Sequence, residues 1–156
     1  MTDHDRSVLE GRAVLLYDGH CGLCNFIVRF CARRDPAMRM RYVPLESEVA
    51  RELLARYGET PESLGSAALF LNTLTRRERF FHHSDAVSFA LRELEQPWNW
   101  FGRMVRWVPR LLRDTVYRFI GRVRYAIFGR YERCPVPSTE MRTRFVGVTD
   151  PGCAAT

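Results

Sequence analysis

Ala13-Val-Leu-Leu-Tyr17-Asp18-Gly19-His20-Cys21-Gly22-Leu23-Cys24 is the stretch on which the fold turns. Ala13 to Tyr17 is an unbroken apolar run of strand length, closed by the turn pair Asp18-Gly19, and reads as a buried strand. Beyond it Leu23, Phe26, Ile27, Phe30 and Cys31 recur at helical spacing as far as Arg34. Asp35-Pro36 then stops the helix, because the residue before proline avoids the α region. Two cysteines, two residues apart, therefore fall between a strand and the first turn of a helix. There, unpaired backbone N–H groups and the helix dipole stabilise a thiolate on the leading sulfur. A free thiol titrates at about 8.5, and such a setting brings it to roughly 3.5–7.5.

Working outward, Arg41 to Leu45 reads as a second strand. Glu46 to Tyr57 follows as an amphipathic helix with Val49, Leu53 and Leu54 inward and Gly58 at its cap. Ala67–Leu71 and Arg79–His82 are a third and fourth strand. Ser84-Asp85 then offers an N-cap for a helix through Leu94, with Ala86, Phe89, Ala90 and Leu94 as its buried stripe. The order β-α-β-α-β-β-α predicts an α/β, thioredoxin-like core over residues 11–95 of a single domain, 1–156. Residues 96–156 follow as a helical extension and tail. Within the extension, Trp98 to Tyr131 carries apolar residues at helical spacing, and Pro109 divides it into two helices from the first turn of the second. The tail from Cys134, with Pro135 and Pro137, reads as loop.

All 24 basic residues are arginine and the net charge is +6, which suits acidic partners, anionic membrane or nucleic acid without choosing among them. Residues 1–12 are polar and contain no apolar signal-peptide region, and no run of about 18 apolar residues occurs. The expectation is a cytoplasmic chain. There, structural disulfides are rare, so five cysteines, an odd number, point to chemistry or packing.

The chemistry that suits Cys21 and Cys24 is dithiol–disulfide exchange. Cys21 attacks a substrate disulfide as thiolate, and Cys24 resolves the mixed disulfide. The electrons reside in the sulfurs, so no bound cofactor is required. The implied partners are a disulfide-containing protein or small molecule and a thiol reductant for recycling.

Asp18 can relay a proton for Cys24 or tune the dithiol, although its charge opposes a thiolate at Cys21. An Asp-Gly turn ending a strand accounts for it equally. His20, if protonated, would stabilise the neighbouring thiolate, and a solvent-facing turn residue is the plainer alternative. Cys31 lies on the same helix face as Cys24 but about 10 Å along the axis, beyond disulfide reach, and reads as core packing. Cys134 is a possible third redox thiol or else a loop cysteine. Cys153 reads as an uninvolved terminal residue, and His82-His83 as a structural pair.

Two rival readings exist. Structural zinc wants four ligands, usually in two close pairs, and the chain has one C-x-x-C. The aromatic and arginine-rich stretch 98–131 could instead bind anionic lipid, as a peripheral membrane contact, or nucleic acid. A helix packed over the core with its arginines in water has the same pattern.

Asp18-x-x-Cys21-x-x-Cys24 after a strand ending Tyr-Asp-Gly resembles the DCC family of thiol-disulfide oxidoreductases. Ser84-Asp85-Ala86, Arg124-Tyr125, Phe128-Gly129-Arg130 and Cys134 with its prolines are also similar to that family, so the likeness covers roughly residues 12–146. It implies a thioredoxin-like fold, disulfide reductase chemistry, and functional weight on Asp18, Cys21 and Cys24. Thioredoxin-like folds usually place a cis-proline just before the third strand, facing the cysteines. Here Gly65-Ser66 stand there, and Pro61 lies too far upstream.

Overall fold

A computed structural model describes residues 1–64, 67–132 and 141–148. The chain runs α1 (Asp3–Leu9), β1 (Ala13–Tyr17), α2 (Gly22–Arg33), β2 (Met40–Pro44), α3 (Glu48–Ala55), α4 (Pro61–Leu64), β3 (Ala68–Leu71) and β4 (Arg79–His82). It continues through α5 (His83–Glu93), α6 (Trp98–Val105) and α7 (Arg110–Phe128) to a short 3-10 turn at Arg142–Arg144. The four strands form one open sheet in the order β2-β1-β3-β4. β1 runs parallel to β2, with Leu15 opposite Tyr42, and antiparallel to β3, with Leu15 opposite Leu69. Parallel neighbours need a crossover, and α2 lies within it. This is a mixed α/β fold consistent with the thioredoxin-like arrangement, followed by C-terminal helices.

All five residues of β1 are buried, because helices cover both faces of the sheet. Alternation along the strand divides the core in two. Leu15 and Tyr17 pack with Val28 and Cys31 of α2 and with Ala86, Phe89 and Ala90 of α5. Val14 and Leu16 pack with Val49, Leu53 and Leu54 of α3. Each such aliphatic side chain, fully buried, contributes about 1.5–3 kcal/mol.

Several local expectations need correction. The first residues form a helix: Thr2 Oγ1 accepts the Asp5 N–H at 3.2 Å while Asp5 accepts the Thr2 N–H at 2.7 Å, a reciprocal cap, and Leu9 enters the core. Ser84 is not an N-cap, because α5 starts at His83 and His82 takes that position. Freed from capping, the Ser84 hydroxyl donates to Asp114, and Asp85 accepts from Arg113 at 2.9 Å. Both bonds pin α7 to α5. Pro109 does divide the extension, but as the extended residue just before α7 rather than inside its first turn. The inward residues of α2 are Asn25, Val28, Cys31 and Ala32, and Phe26 faces solvent.

Gly58 has the left-handed φ of +69° that its place past α3 requires, and the following N–H returns to Leu54 O. Among the described residues no helix is long and apolar enough to cross a membrane. Gly65, Ser66, Cys134, Pro135, Pro137 and Cys153 lie outside the described residues, so the readings made of them stand as expectations.

Candidate functional site

Cys21 is the residue immediately before α2, in extended conformation, and its sulfur accepts the Cys24 N–H at 3.2 Å. A sulfur that caps a helix receives a backbone donor and the positive end of the dipole together. The two side chains also act on each other, and the thiols are driven apart in acidity. Cys21 falls from the ordinary thiol range to about 6, chiefly through the Cys24 side chain, with the Cys24 N–H and the Arg124 charge helping and burial opposing. Cys24 rises well above the usual thiol range, because its proton is held by Cys21 and because it is buried. One group is set to carry charge and its neighbour to keep its proton.

The turn that precedes them is held from several sides. Asp18 Oδ1 accepts the backbone N–H groups of His20 at 2.9 Å and Cys21 at 3.1 Å. Asp18 Oδ2 accepts from Arg124 at 2.9 Å and from the Tyr125 hydroxyl. Buried Asn25 donates to Gly19 O and Cys21 O, and Glu46 accepts the Gly19 N–H. Burial pushes the Glu46 carboxyl upward. Asp18 therefore serves as the Asx turn and as half of an ion pair, and the Arg124 charge offsets its opposition to a thiolate.

A backbone segment after α7 crosses this turn. Gly22 N–H donates to Gly129 O at 3.3 Å, Tyr131 N–H donates to His20 O at 2.7 Å, and Cys21 bridges to Arg130 in antiparallel fashion. The approach is so close that a Cβ on Gly22 would stand 2.2 Å from Phe128 O, which leaves glycine alone at that position. Beside this pairing, Cys21 has no exposed surface (0%), whereas Cys24 keeps some.

His20 Nδ1 lies 3.0 Å from Tyr131 O, so its ring is spent on the crossing segment. The cation that lowers Cys21 is Arg124. Cys31 is buried, and burial lifts its thiol to about 12, in keeping with packing. His82 and His83 meet each other through their Nδ1 atoms, and His83 packs edge-on against Tyr117. Among the described residues no three His, Cys, Asp or Glu side chains gather as metal ligands do.

The chemical importance of Arg124, Tyr125, Asn25 and Glu46 was not read from the sequence as site residues. Arg124 and Tyr125 carried a signal in their likeness to the family, and Arg124 a second as a charged residue on the same face of a helical pattern as Tyr117 and Gly121. Asn25 had another, a polar residue among the inward positions of α2.

The DCC1-like thiol-disulfide oxidoreductase family model matches residues 15–130. The chain is 35% identical over 133 residues to the uncharacterized protein YuxK of Bacillus subtilis (strain 168), covering 85% of this chain and 93% of that one. It is 32% identical over 125 residues to the chloroplastic DCC family protein At1g52590 of Arabidopsis thaliana, covering 80% of this chain and 70% of that one. No solved structure matches. The matched segment opens inside β1, takes in both cysteines and Arg124, and ends at the crossing residue Arg130, and on that ground this chain belongs to the DCC1-like thiol-disulfide oxidoreductase family.

Proposed function

We propose that the protein reduces disulfides by dithiol–disulfide exchange, with Cys21 as nucleophile and Cys24 as resolving thiol. The observation that carries this reading is the seat of Cys21 at the N-terminus of α2, where its sulfur accepts the Cys24 N–H at 3.2 Å, an arrangement that favours charge on Cys21 and a retained proton on Cys24. The Cys21 thiolate attacks one sulfur of a disulfide, forming a mixed disulfide and expelling the other half as thiolate. Cys24 then loses its proton and attacks Cys21, the second half leaves as thiolate, and a Cys21–Cys24 disulfide remains. Two electrons pass to the substrate, and an external thiol restores the dithiol.

Asp18 modulates this step through Arg124, and His20 acts on access by holding the crossing segment. The sulfurs carry the electrons themselves, so the reading calls for no bound cofactor, and it suits the reducing cytoplasm. Cys21→Ser is expected to abolish reduction of a model disulfide, and Cys24→Ser to accumulate mixed disulfide on Cys21, seen by mass spectrometry. Full activity in Cys21→Ser would sink the proposal.

A second, compatible reading concerns the outer face of α6 and α7. Leu112, Val116, Phe119, Val123 and Ile127 form a stripe that packing over the core would have hidden, yet four of the five are exposed. Trp107 (91%) and Leu111 (80%) stand almost free in solvent. Exposed Arg103, Arg110, Arg118 and Arg122 lie on the same two helices, and exposed Arg106 follows the end of α6. Exposed aliphatic and aromatic side chains interleaved with arginine suit an anionic lipid surface, into which the apolar groups insert while the guanidinium groups meet the headgroups. Co-sedimentation with phosphatidylglycerol vesicles, weakened by salt and absent with neutral lipid, is the expected result. Binding indifferent to both would remove this reading.

A further inference from the structure

A cavity of about 220 Å³ lies between α2, α5 and α7 with β1 at its floor. Leu15 forms that floor, Cys24 and Val28 one wall, Ala90 another, and Gly121 a third. Ile27, Val87 and Ile120 also line it while remaining partly exposed, so the cavity opens to the surface. Its lining is almost wholly apolar. A void of about 150 Å³ lined by such residues stays dry and takes up benzene.

Gly121 makes the cavity more than a packing flaw. It sits in the middle of α7, where glycine is less favourable than alanine by about 1 kcal/mol. Apart from its chain neighbours and its own helix backbone, no atom lies within 4 Å of where its Cβ would stand, so no close approach of another element demands glycine. A larger residue there would improve the helix and fill the void together. The sequence does neither, and the space kept open borders one of the two redox sulfurs.

We propose that this cavity receives an apolar substituent of the substrate, making the protein selective for disulfides that carry an aromatic or branched aliphatic group next to the sulfur. The proposal rests on the dithiol reading and names its substrate class. With the apolar group seated against Cys24, the adjoining disulfide lies next to that sulfur, and attack by Cys21, which does not line the cavity and has no exposed surface, requires the segment 129–131 to draw back from it. The sealed side of Cys21 offers no comparable approach.

The test is single-turnover reduction by pre-reduced wild-type protein of 2-hydroxyethyl benzyl disulfide and of bis(2-hydroxyethyl) disulfide, with released thiols counted. The expected result is a rate constant about tenfold or more higher for the benzyl compound, the scale on which apolar pockets discriminate. Benzyl methyl sulfide, which has no reducible bond, is expected to compete in the wild type. In Gly121→Leu the ratio of the two rate constants is expected to fall towards one, with Tm unchanged or raised. Equal rates in the wild type, or a ratio untouched by Gly121→Leu in a folded variant, would overturn the proposal. Failure to reduce either compound would overturn the dithiol reading beneath it.

Discussion

The two cysteines stand three residues apart on one turn, yet their surroundings have little in common. The Cys21 side is polar and closed: Asp18, Asn25, Glu46 and the crossing segment hold the backbone groups of the turn, and the sulfur has no exposed surface. The Cys24 side is apolar and open, bordering the cavity between α2, α5 and α7. The difference separates two tasks that one environment serves badly. Lowering a thiol requires aligned donors and a cation, which need a rigid polar frame. Admitting a substrate requires space free of such frames.

The strongest way to break this contrast is to remove the cation that serves both sides. Arg124 and Asp18 are each about 9% exposed at the side chain, and Arg124→Met leaves the carboxylate buried without its partner. A loss of about 3–5 kcal/mol is expected in denaturant unfolding of the reduced protein. The Cys21 thiolate, followed by ultraviolet absorbance, should then titrate above its wild-type position near pH 6. Arg124→Lys should restore part of both. In the wild type, disulfide reduction should rise as pH climbs through about 6 and then level off. The stability linked to Cys21 has the matching sign. Its thiol is lowered by folding, so that contribution is complete above the unfolded thiol value and fades as pH falls through about 6.

A smaller effect is expected from Gly22→Ala, which tests how tightly the Cys21 side is closed. The added methyl meets the Phe128 carbonyl, and backbone on both sides must move. A loss of about 1–3 kcal/mol is expected, as for other overpacked positions. If the crossing strand is what shields Cys21, iodoacetamide should label Cys21 faster in this variant than in the wild type. An unchanged labelling rate would show that closure on that side has another origin.

How much of this was legible beforehand depends on how far the partners lie apart in the chain. β1, the turn, the two cysteines and α2 form one continuous stretch, and local patterns of apolar spacing and turn residues suffice to read it. Residues 79–82 read as β4 for the same reason. The partner of Asp18 lies 106 residues away, and nothing in a single sequence links an arginine in α7 to a carboxylate after β1. The exposed stripe of α7 shows a subtler limit. Its periodicity announces an amphipathic helix, but a helix with apolar residues on more than one side does not declare which side the core will take. Residues 1–12 were legible in principle, since Thr2 and Asp5 have capping spacing. Only the docking of Leu9 makes so short a helix worthwhile.

The least change is expected from His20→Gln, and its smallness is what gives it value. From the sequence, a histidine beside Cys21 invites the role of thiolate-stabilising cation. In the fold its ring faces Tyr131 O at 3.0 Å, at the surface, while Arg124 supplies the charge. Losing one such hydrogen bond costs about 0.5–1.5 kcal/mol, and a glutamine amide can remake part of it. The Cys21 titration should therefore stay where it is in the wild type, in contrast to its rise in Arg124→Met. A comparable rise in His20→Gln would move the controlling charge from the α7 side of the turn to the crossing strand, and the division between a closed polar side and an open apolar one would have to be redrawn around His20.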